Sequence, residues 1–286
     1  MALSQEGQIE FRGLLMGPGT DYTVTHFNPF ARVTRADYSG TNPYADGGWS
    51  GPEFLEPVSI PLHVHVSGGT SAGWWQRHSA LQSALRPVRN DPSEPEIHWR
   101  MGGRDYMMYA RPRTLEPEIK NMMTGDVTTA CALVALDPSI YSGGDDGLHS
   151  LSLGLYHTIG GLSVPLGLPF TIRSVVAGGL GSITNIGETP SSLAIRINGP
   201  VVNPMLTVSS NLGGNASLWF ETTLQPGEWL EIDTQARSVL KNGFISMLAV
   251  ARGTFPLAWP GENEVRYLAD DYNDETTAEI NWRDRW

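Results

Sequence analysis

The chain has 286 residues, of which 40% are hydrophobic and 17% are charged, and its formal net charge is −11. This much apolar content can form a core, which excludes a disordered chain. The acidic balance argues against a broad phosphate-binding surface, because such a surface needs clustered Lys and Arg. The 32 glycines and 20 prolines predict turn-rich β structure, since helix interiors exclude both residue types.

The chain begins with a predicted hairpin followed by a long irregular segment. Apolar residues at 9–15 and an extended pattern at 22–25 flank the turn Met16-Gly17-Pro18-Gly19-Thr20. Residues 28–53 are then interrupted repeatedly by Asn-Pro, Gly-Gly and Gly-Pro breakers. Loops of this length are usually functional or interfacial. We therefore expect residues 28–53 to be an excursion from the domain, in the form of an extended arm.

The next segments predict a strand, a helix and further strands. Apolar and polar residues alternate over 58–66, which is typical of a strand with one buried face. Residues 71–86 predict the one convincing helix, with Pro87 as its stop signal. Four residues recur there at helical spacing: Trp74, His78, Leu81 and Leu85. Strands are predicted at 97–101, 106–110 and 127–136.

The best linker candidate is the glycine-rich and acidic segment 139–147. It predicts two domains, residues 1–138 and residues 148–286. The low-charge stretch 148–189 alternates glycine with apolar residues, which favours edge strands and loops.

Residues 191–268 read as one antiparallel strand after another, with turn signals every ~8–12 residues, which indicates a β-sandwich or barrel. Residues 262–286 are rich in acidic side chains but also contain large apolar ones. A disordered acidic tail does not carry so many large apolar groups. This segment therefore predicts closing strands, with Trp282 packed.

The single cysteine and the first residues bear on the cellular compartment. Cys131 lies in an apolar run and cannot form an intrachain disulfide, so we interpret it as a buried thiol. The first residues lack the features of a secretion signal, and no stretch approaches the ~20 apolar residues of a membrane span. We expect a soluble protein made in a reducing compartment.

One motif fits the nucleophile elbow of hydrolases, Gly69-Thr70-Ser71-Ala72-Gly73. It lies between a predicted strand and a predicted helix, and His149 or His157 could nominally complete a site. An α/β-hydrolase, however, needs a series of alternating strands and helices, and only one helix is predicted. The alternative interpretation is a glycine-rich loop with Ser71 as the helix N-cap.

Two further side-chain groups could carry chemistry. His63 and His65 project from one strand face as metal ligands would, but two ligands do not make a site, and an exposed strand face is the simpler interpretation. Glu228, Glu231 and Asp233 could act as paired carboxylates in glycosidic cleavage. Alternation with apolar neighbours also predicts that they simply face water.

Aromatic and basic side chains offer the remaining binding hypotheses. Trp219, Trp229 and Trp259 lie in the predicted sandwich, where an exposed indole can stack on a sugar and a buried one fills the core. A glycosylation pattern at Asn215-Ala216-Ser217 carries no weight without a secretion signal. A local basic patch is another hypothesis, although strand alternation would spread its members over different faces: Arg100, Arg104, Arg111 and Arg113.

In order and spacing, the chain resembles the distal tail proteins of long, flexible-tailed bacteriophages, also called minor tail proteins. The resemblance spans nearly the whole length. It rests on the residues of 11–20 that open the first hairpin, the Asp46-Gly47-Gly48 dip, the strand at 58–66 and the single helix. In the second half it rests on residues 226–234, on Asn242-Gly243 and on Trp259-Pro260-Gly261-Glu262-Asn263.

The resemblance implies a mainly β protein, with an N-terminal β-sandwich or split-barrel domain that carries one α-helix and a C-terminal galectin-like β-sandwich. It implies a structural virion protein of the siphovirus tail tip, or baseplate. There a hexameric ring joins the tail tube to hub and fibre proteins, takes part in host attachment and lets DNA pass during ejection. No catalytic, cofactor-binding or metal-binding residues are implied, and the protein is not expected to be an enzyme. The alternative is a carbohydrate-binding or carbohydrate-active β-sandwich protein.

Overall fold

The chain divides into two compact units, Met1–Gly147 and Leu148–Trp286. The structure is a computed structural model, and it describes residues 3–66, 71–89, 94–121, 126–155, 179–273 and 275–286. Within these ranges the protein is mostly β with one α-helix, as the sequence predicts. No helix in the described ranges combines the length and apolar character needed to cross a membrane.

The first unit contains thirteen strands and the helix α1. Their bounds are β1 Ile9–Phe11, β2 Leu14–Met16, β3 Tyr22–Phe27, β4 Thr34–Ala36, β5 Gly40–Thr41, β6 Gly48–Trp49, β7 Glu53–Leu55, β8 Val58–Val66, α1 Ser71–Leu85, β9 Glu96–Met101, β10 Arg104–Tyr109, β11 Arg111–Asn121, β12 Asp126–Ala135 and β13 Tyr141–Ser142. Nine of the strands form a five-stranded sheet in the order β13-β10-β9-β1-β2 and a four-stranded sheet in the order β11-β12-β8-β3, and the other four form the two-stranded sheets β4-β7 and β5-β6.

Strand β8 and helix α1 form much of the core of this unit. Every second residue of β8 from Val58 to Val66 is buried, which is the predicted alternation. Helix α1 contacts β2, β8 and β11, and the four residues predicted to share its inner face are all buried. Arg12 Nη1 donates to the carbonyl oxygens of Ala84 and Arg86. A cation there complements the partial negative charge of the helix C-terminus.

The residues predicted to be a linker, 139–147, lie within the first compact unit. Tyr141–Ser142 forms β13 and pairs with β10 in the five-stranded sheet. Ile140 and Tyr141 are buried, and the Tyr141 hydroxyl donates to Asp137 Oδ2 at 2.7 Å. The Ser142 hydroxyl donates to the Gly147 carbonyl oxygen at 2.6 Å, which closes the turn internally. The glycines therefore serve a tight turn inside the first unit, and the unit boundary follows Gly147.

The second unit is the predicted sandwich of two antiparallel sheets. Its elements are β14 Leu148–Gly154, β15 Leu180–Asn185, β16 Ser191–Asn198, β17 Val201–Val202, β18 Met205–Ser210, β19 Asn215–Phe220, β20 Thr223–Leu224, β21 Trp229–Asp233, β22 Ser238–Lys241, β23 Ile245–Ser246, a 3-10 turn at Leu248–Val250, β24 Ala251–Gly253, β25 Leu257–Ala258, β26 Gly261–Leu268, β27 Asp271–Tyr272 and β28 Thr277–Arg283.

One sheet of the sandwich runs in the order β14-β28-β16-β21-β22-β23, with β25 also paired to β16, and the other in the order β15-β26-β18-β19-β24. Both sheets contribute to one apolar cluster, in which Ile195 and Ile280 from the first and Val265 and Tyr267 from the second are buried. Strands β14 and β15 occupy sheet edges, as residues 148–189 predict; residues 156–178 lie outside the described ranges. Trp282 is buried within β28, which confirms the predicted closing strand.

Candidate functional site

The excursion expected at residues 28–53 is a folded β-arm, which we define as residues 28–57. Strands β4 and β7 pair near its base, and β5 and β6 pair nearer its tip. The two sides of the arm approach each other closely at Gly51. A Cβ added there would lie only 1.8 Å from the Asp37 carbonyl oxygen. Most residues of the four strands are exposed. The arm is thus hydrogen-bonded to itself and largely open to solvent.

The base of the arm is fixed to the five-stranded sheet by aromatic contacts. The Phe30 ring meets Trp99 and Tyr106 edge to face, with centroid separations of 6.2 and 6.4 Å. Arg32 Nη1 donates to the carbonyl oxygens of Pro29 and Ala31, which folds the chain back at the start of the arm. Edge-to-face packing is a favoured arrangement of aromatic pairs. The arm therefore leaves the unit from a defined position.

Large apolar side chains on the arm point into solvent. Of the 21 exposed large hydrophobic side chains among the described residues, seven belong to the arm: Phe30, Val33, Tyr38, Tyr44, Trp49, Phe54 and Leu55. Tyr38 is 84% exposed and Tyr44 is 98% exposed. Concentrated apolar exposure of this kind marks interaction surfaces. The arm is the strongest candidate interface in the first unit.

The structure describes only part of the nucleophile-elbow motif. Gly69 and Thr70 lie outside the described residues, and Ser71 is the first residue of α1. His157 also lies outside them. His149 lies on β14 in the second unit, where its Nε2 is 3.0 Å from Asp284 Oδ2 and its ring packs on Trp282 at 5.4 Å.

The His149–Asp284 pair, which the sequence analysis missed, is a partly buried structural contact. Asp284 is almost fully buried, and its Oδ1 accepts a hydrogen bond from the backbone N–H of Ile186 at 2.9 Å. The carboxylate therefore connects β14, the segment after β15 and the end of β28. Local sequence patterns do not predict this contact, because the two residues are 135 positions apart in the chain.

The two strand histidines share one face of β8, as predicted, and both are partly buried there. The His63 ring lies 5.3 Å from the His26 ring of the neighbouring strand β3. His65 Nδ1 is 3.4 Å from the Thr128 hydroxyl. In the described part of the chain, no three His, Cys, Asp or Glu side chains are grouped closely enough to hold a metal ion.

The three candidate carboxylates are each engaged in local structure. Glu228 Oε2 accepts from the Gln225 N–H at 2.8 Å and lies 2.7 Å from Lys241 Nζ. The backbone hydrogen bond from Gln225, followed by the Lys241 contacts, lowers the pKa of Glu228. Glu231 accepts from the Trp229 indole N–H, and Asp233 Oδ1 accepts two backbone N–H groups of the turn that follows. Glu228 and Asp233 thus stabilise the turns at the two ends of β21, and Glu231 holds the Trp229 indole.

The three tryptophans occupy different environments. Trp229 is half-buried, with the Arg196 guanidinium 4.7 Å from its ring centroid. Trp259 covers Gly214 so closely that an added Cβ would lie 1.7 Å from its Nε1. Trp219, at 39% exposure, lies on the outer face of β19 between buried Leu218 and Phe220. Of these three, Trp219 is the indole best placed to meet a ligand.

The four clustered arginines do not form a basic patch. Arg100 and Arg111 pair with acidic groups, Asp105 and Glu94 respectively. Arg104 and Arg113 are exposed but lie on different sheets. The four arginines are thus spread apart, as predicted, and they lie on two different sheets.

Cys131 is buried within β12, as expected from its apolar run. Its burial raises the pKa of the thiol to about 12. A thiol in this environment is not a nucleophile at neutral pH, because only the thiolate reacts.

Comparison with known proteins identifies a family for the C-terminal part of the chain. Residues 186–286 match the model of the family described as "Siphovirus-type tail component, C-terminal domain". No curated protein matches the sequence.

Two solved structures share the fold over nearly the whole chain. The Dit protein (gp 19.1) of phage SPP1, described as a paradigm of the hub adsorption apparatus in phages infecting Gram-positive bacteria, aligns with a TM-score of 0.66 and 10% identity. The match covers 99% of this chain and 100% of that chain. A chain of the phage P2 baseplate in its activated conformation with Ca aligns with a TM-score of 0.53 and 9% identity, covering 98% of each chain. At these identities the alignments establish the fold.

Proposed function

We propose that this protein is the distal tail subunit, which joins the tail tube to the hub and fibre proteins. The proposal rests on the match of residues 186–286 to the siphovirus-type tail component family. The protein is a structural component of the phage tail, located at the tail tip. In our proposal six copies form a ring around a central channel, and the first unit builds the ring. The protein performs no catalysis in this role.

The single observation that carries the ring proposal is the arm, residues 28–57. A closed ring of identical subunits needs two different surfaces on each copy, one of which docks on the other in the next copy. The arm supplies an extended surface of this kind, with apolar side chains that would be costly to leave in water. Aromatic anchors such as Tyr38 and Tyr44 are also the residue type that dominates binding energy at interfaces.

The passage of DNA through the ring is consistent with the charge of the chain. At a net charge of −11, a channel wall that does not bind phosphate strongly would let a DNA duplex slide. An assembled ring with a strongly positive channel would contradict this part of the proposal. It can be checked on an electrostatic map of the oligomer.

The ring is tested by measuring the mass of the full-length protein with native mass spectrometry and imaging it by negative stain. We expect closed six-membered rings for the natural sequence. The double variant Tyr38→Ser/Tyr44→Ser should shift the mass to the monomer, since each aromatic anchor contributes roughly 2 kcal/mol or more to an interface.

A matched control removes equally exposed apolar side chains from the second unit. Leu212 and Phe244 are 69% and 76% exposed, and Leu212→Ser/Phe244→Ser should leave the ring intact. The proposal is wrong if the natural protein is a monomer at every concentration. If rings form but survive the arm substitutions, the arm is not the interface.

A further inference from the structure

The outer face of the five-stranded sheet in the second unit holds a polar groove that the ring does not explain. Its volume is about 780 Å³, and it crosses β15, β26 and β18 and reaches β19. Small polar side chains form much of its lining, among them Ser182, Ser209 and Asn215. Glu264 and Arg266 on β26 add one carboxylate and one guanidinium, which form an ion pair with each other.

The composition of this lining narrows the class of ligand. Serine and glutamate are depleted in the cores of protein–protein interfaces, yet three serines and two glutamates line the groove. A polyanion would need an excess of cations, whereas Arg266 is outnumbered by Glu262 and Glu264. Hydroxyl and amide groups both donate and accept hydrogen bonds, as the hydroxyl groups of a sugar do. The lining therefore fits an uncharged, polyhydroxylated molecule.

Part of the polar lining is already arranged by internal hydrogen bonds. The Ser182 hydroxyl donates to Glu262 Oε1 at 2.9 Å. On the strands beside it, the hydroxyls of Thr207 and Ser217 are 3.0 Å apart. Groups held in place lose little side-chain entropy when a ligand binds, which favours affinity.

Trp219 extends the same face with an aromatic platform. The strand register aligns Trp219, Met205 and Leu268 in one row across β19, β18 and β26. Arg266 and Ser217 lie in the next row. With strands ~4.8 Å apart and residues ~3.3 Å apart along each strand, Trp219 lies roughly 12 Å from Arg266. An indole at this distance can stack on the apolar face of one sugar while the polar groove holds the next.

We propose that this sheet face binds a neutral oligosaccharide, with Trp219 stacking on one sugar unit and the groove around Glu264 and Arg266 binding the adjoining unit or units. This role is independent of the proposed ring, because every residue involved lies in the second unit. It adds recognition of an uncharged surface glycan to a structural subunit.

The test is an array of short neutral and acidic oligosaccharides, probed with the full-length protein and followed by titration calorimetry on the best neutral ligand. We expect binding to neutral members only. Trp219→Ala should weaken that binding roughly tenfold or more, since loss of an aromatic stacking partner costs on the order of the 1.4 kcal/mol that corresponds to tenfold. Ser209→Tyr should block it by filling the groove.

Phe244→Ala is the matched control, because it removes an exposed aromatic ring from the same unit but at the far end of the other sheet. It should bind as the natural protein does. Melting temperatures of all variants verify that each is folded. The proposal is overturned if the protein binds no neutral glycan or binds acidic glycans alone. It is also overturned if Trp219→Ala and Ser209→Tyr both bind with unchanged affinity. The oligomeric state, measured on the same samples, tests the ring separately.

Discussion

Replacing Asp284 by alanine should loosen the end of the second unit. The Asp284 side chain is almost entirely buried and accepts from Ile186 N–H at 2.9 Å, and it lies 3.0 Å from His149 Nε2. Each hydrogen bond to a charged group contributes about 1.5–3 kcal/mol, and a buried donor that loses its partner adds a desolvation penalty. Because His149 is partly exposed, water can compensate for part of the loss. We expect Asp284→Ala to lower the free energy of unfolding by about 3–4 kcal/mol.

The local character of this contact makes hydrogen–deuterium exchange of the full chain the appropriate assay. Peptides that cover β28 and the segment after β15 should exchange roughly a hundredfold faster in Asp284→Ala, because a tenfold change corresponds to ~1.4 kcal/mol. The melting temperature of the second unit should fall by roughly 10 °C.

The conservative variant Asp284→Asn separates charge from shape. Its amide oxygen can still accept from Ile186 N–H, so we expect a smaller loss of about 1–2 kcal/mol. Unchanged exchange at both segments in Asp284→Ala would refute the view that this carboxylate joins three parts of the unit. If Asp284→Asn loses as much free energy of unfolding as Asp284→Ala, the negative charge of Asp284, rather than its hydrogen bonds, stabilises the unit.

Three further predictions concern buried groups. Burial lowers the pKa of His78 below 6.5, so the unfolded chain gains a proton first and stability should fall as pH drops below ~6.5; denaturation at pH 7 and pH 5 should show a smaller fall in His78→Phe. Cys131, with a pKa of about 12, should resist iodoacetamide at pH 8 until the protein is denatured, and rapid labelling of the folded protein would contradict its burial. Gly214→Ala should lower the free energy of unfolding by about 2 kcal/mol, because the added methyl group overpacks against Trp259. In a double-mutant cycle, Trp259→Leu should recover at least ~1 kcal/mol of this loss. An equal loss in the Trp259→Leu background would exclude the Gly214–Trp259 contact as its cause.

Periodicity predicted the regular elements well, because their burial follows from local alternation. Strand β8 has the predicted bounds, and α1 ends one residue before the predicted 86. Strand β11 was missed, since Pro112 and Pro117 interrupt its pattern. It is an edge strand, which is where proline is tolerated because one side of the ladder needs no donors. Prolines that predict a loop from the sequence can thus protect the edge of a sheet from pairing with another strand.

Sequence reasoning located the arm but gave it too little structure. The breakers in residues 28–53 suggested an irregular loop, whereas they make the turns and the close crossing at Gly51 in two short ladders. The glycines at 143, 144 and 147, which the sequence analysis assigned to a linker, lie in a turn of the first unit. Glycine signals a backbone requirement, and only tertiary contacts decide whether a turn lies inside a unit or between units.

Of the candidate site, the sequence analysis named Trp219 as one of three tryptophans, and it could not predict the groove beside it. The groove depends on which residues the register of four strands brings to one face, and that register joins segments far apart in the chain. The contact between His149 and Asp284 has the same origin. Local patterns report the face on which a side chain lies, whereas non-local pairing determines its neighbours.

The place of β28 has a consequence for synthesis. This strand lies between β14 and β16, so a strand that is made after both of them completes the middle of a sheet rather than its edge. The first unit can fold while the ribosome is still translating the second. The second cannot close its sheet until residues 277–283 have left the exit tunnel, and long-range pairing of this kind is slow. Premature termination before residue 277 would therefore release a chain with a folded first unit and an open, aggregation-prone sheet in the second.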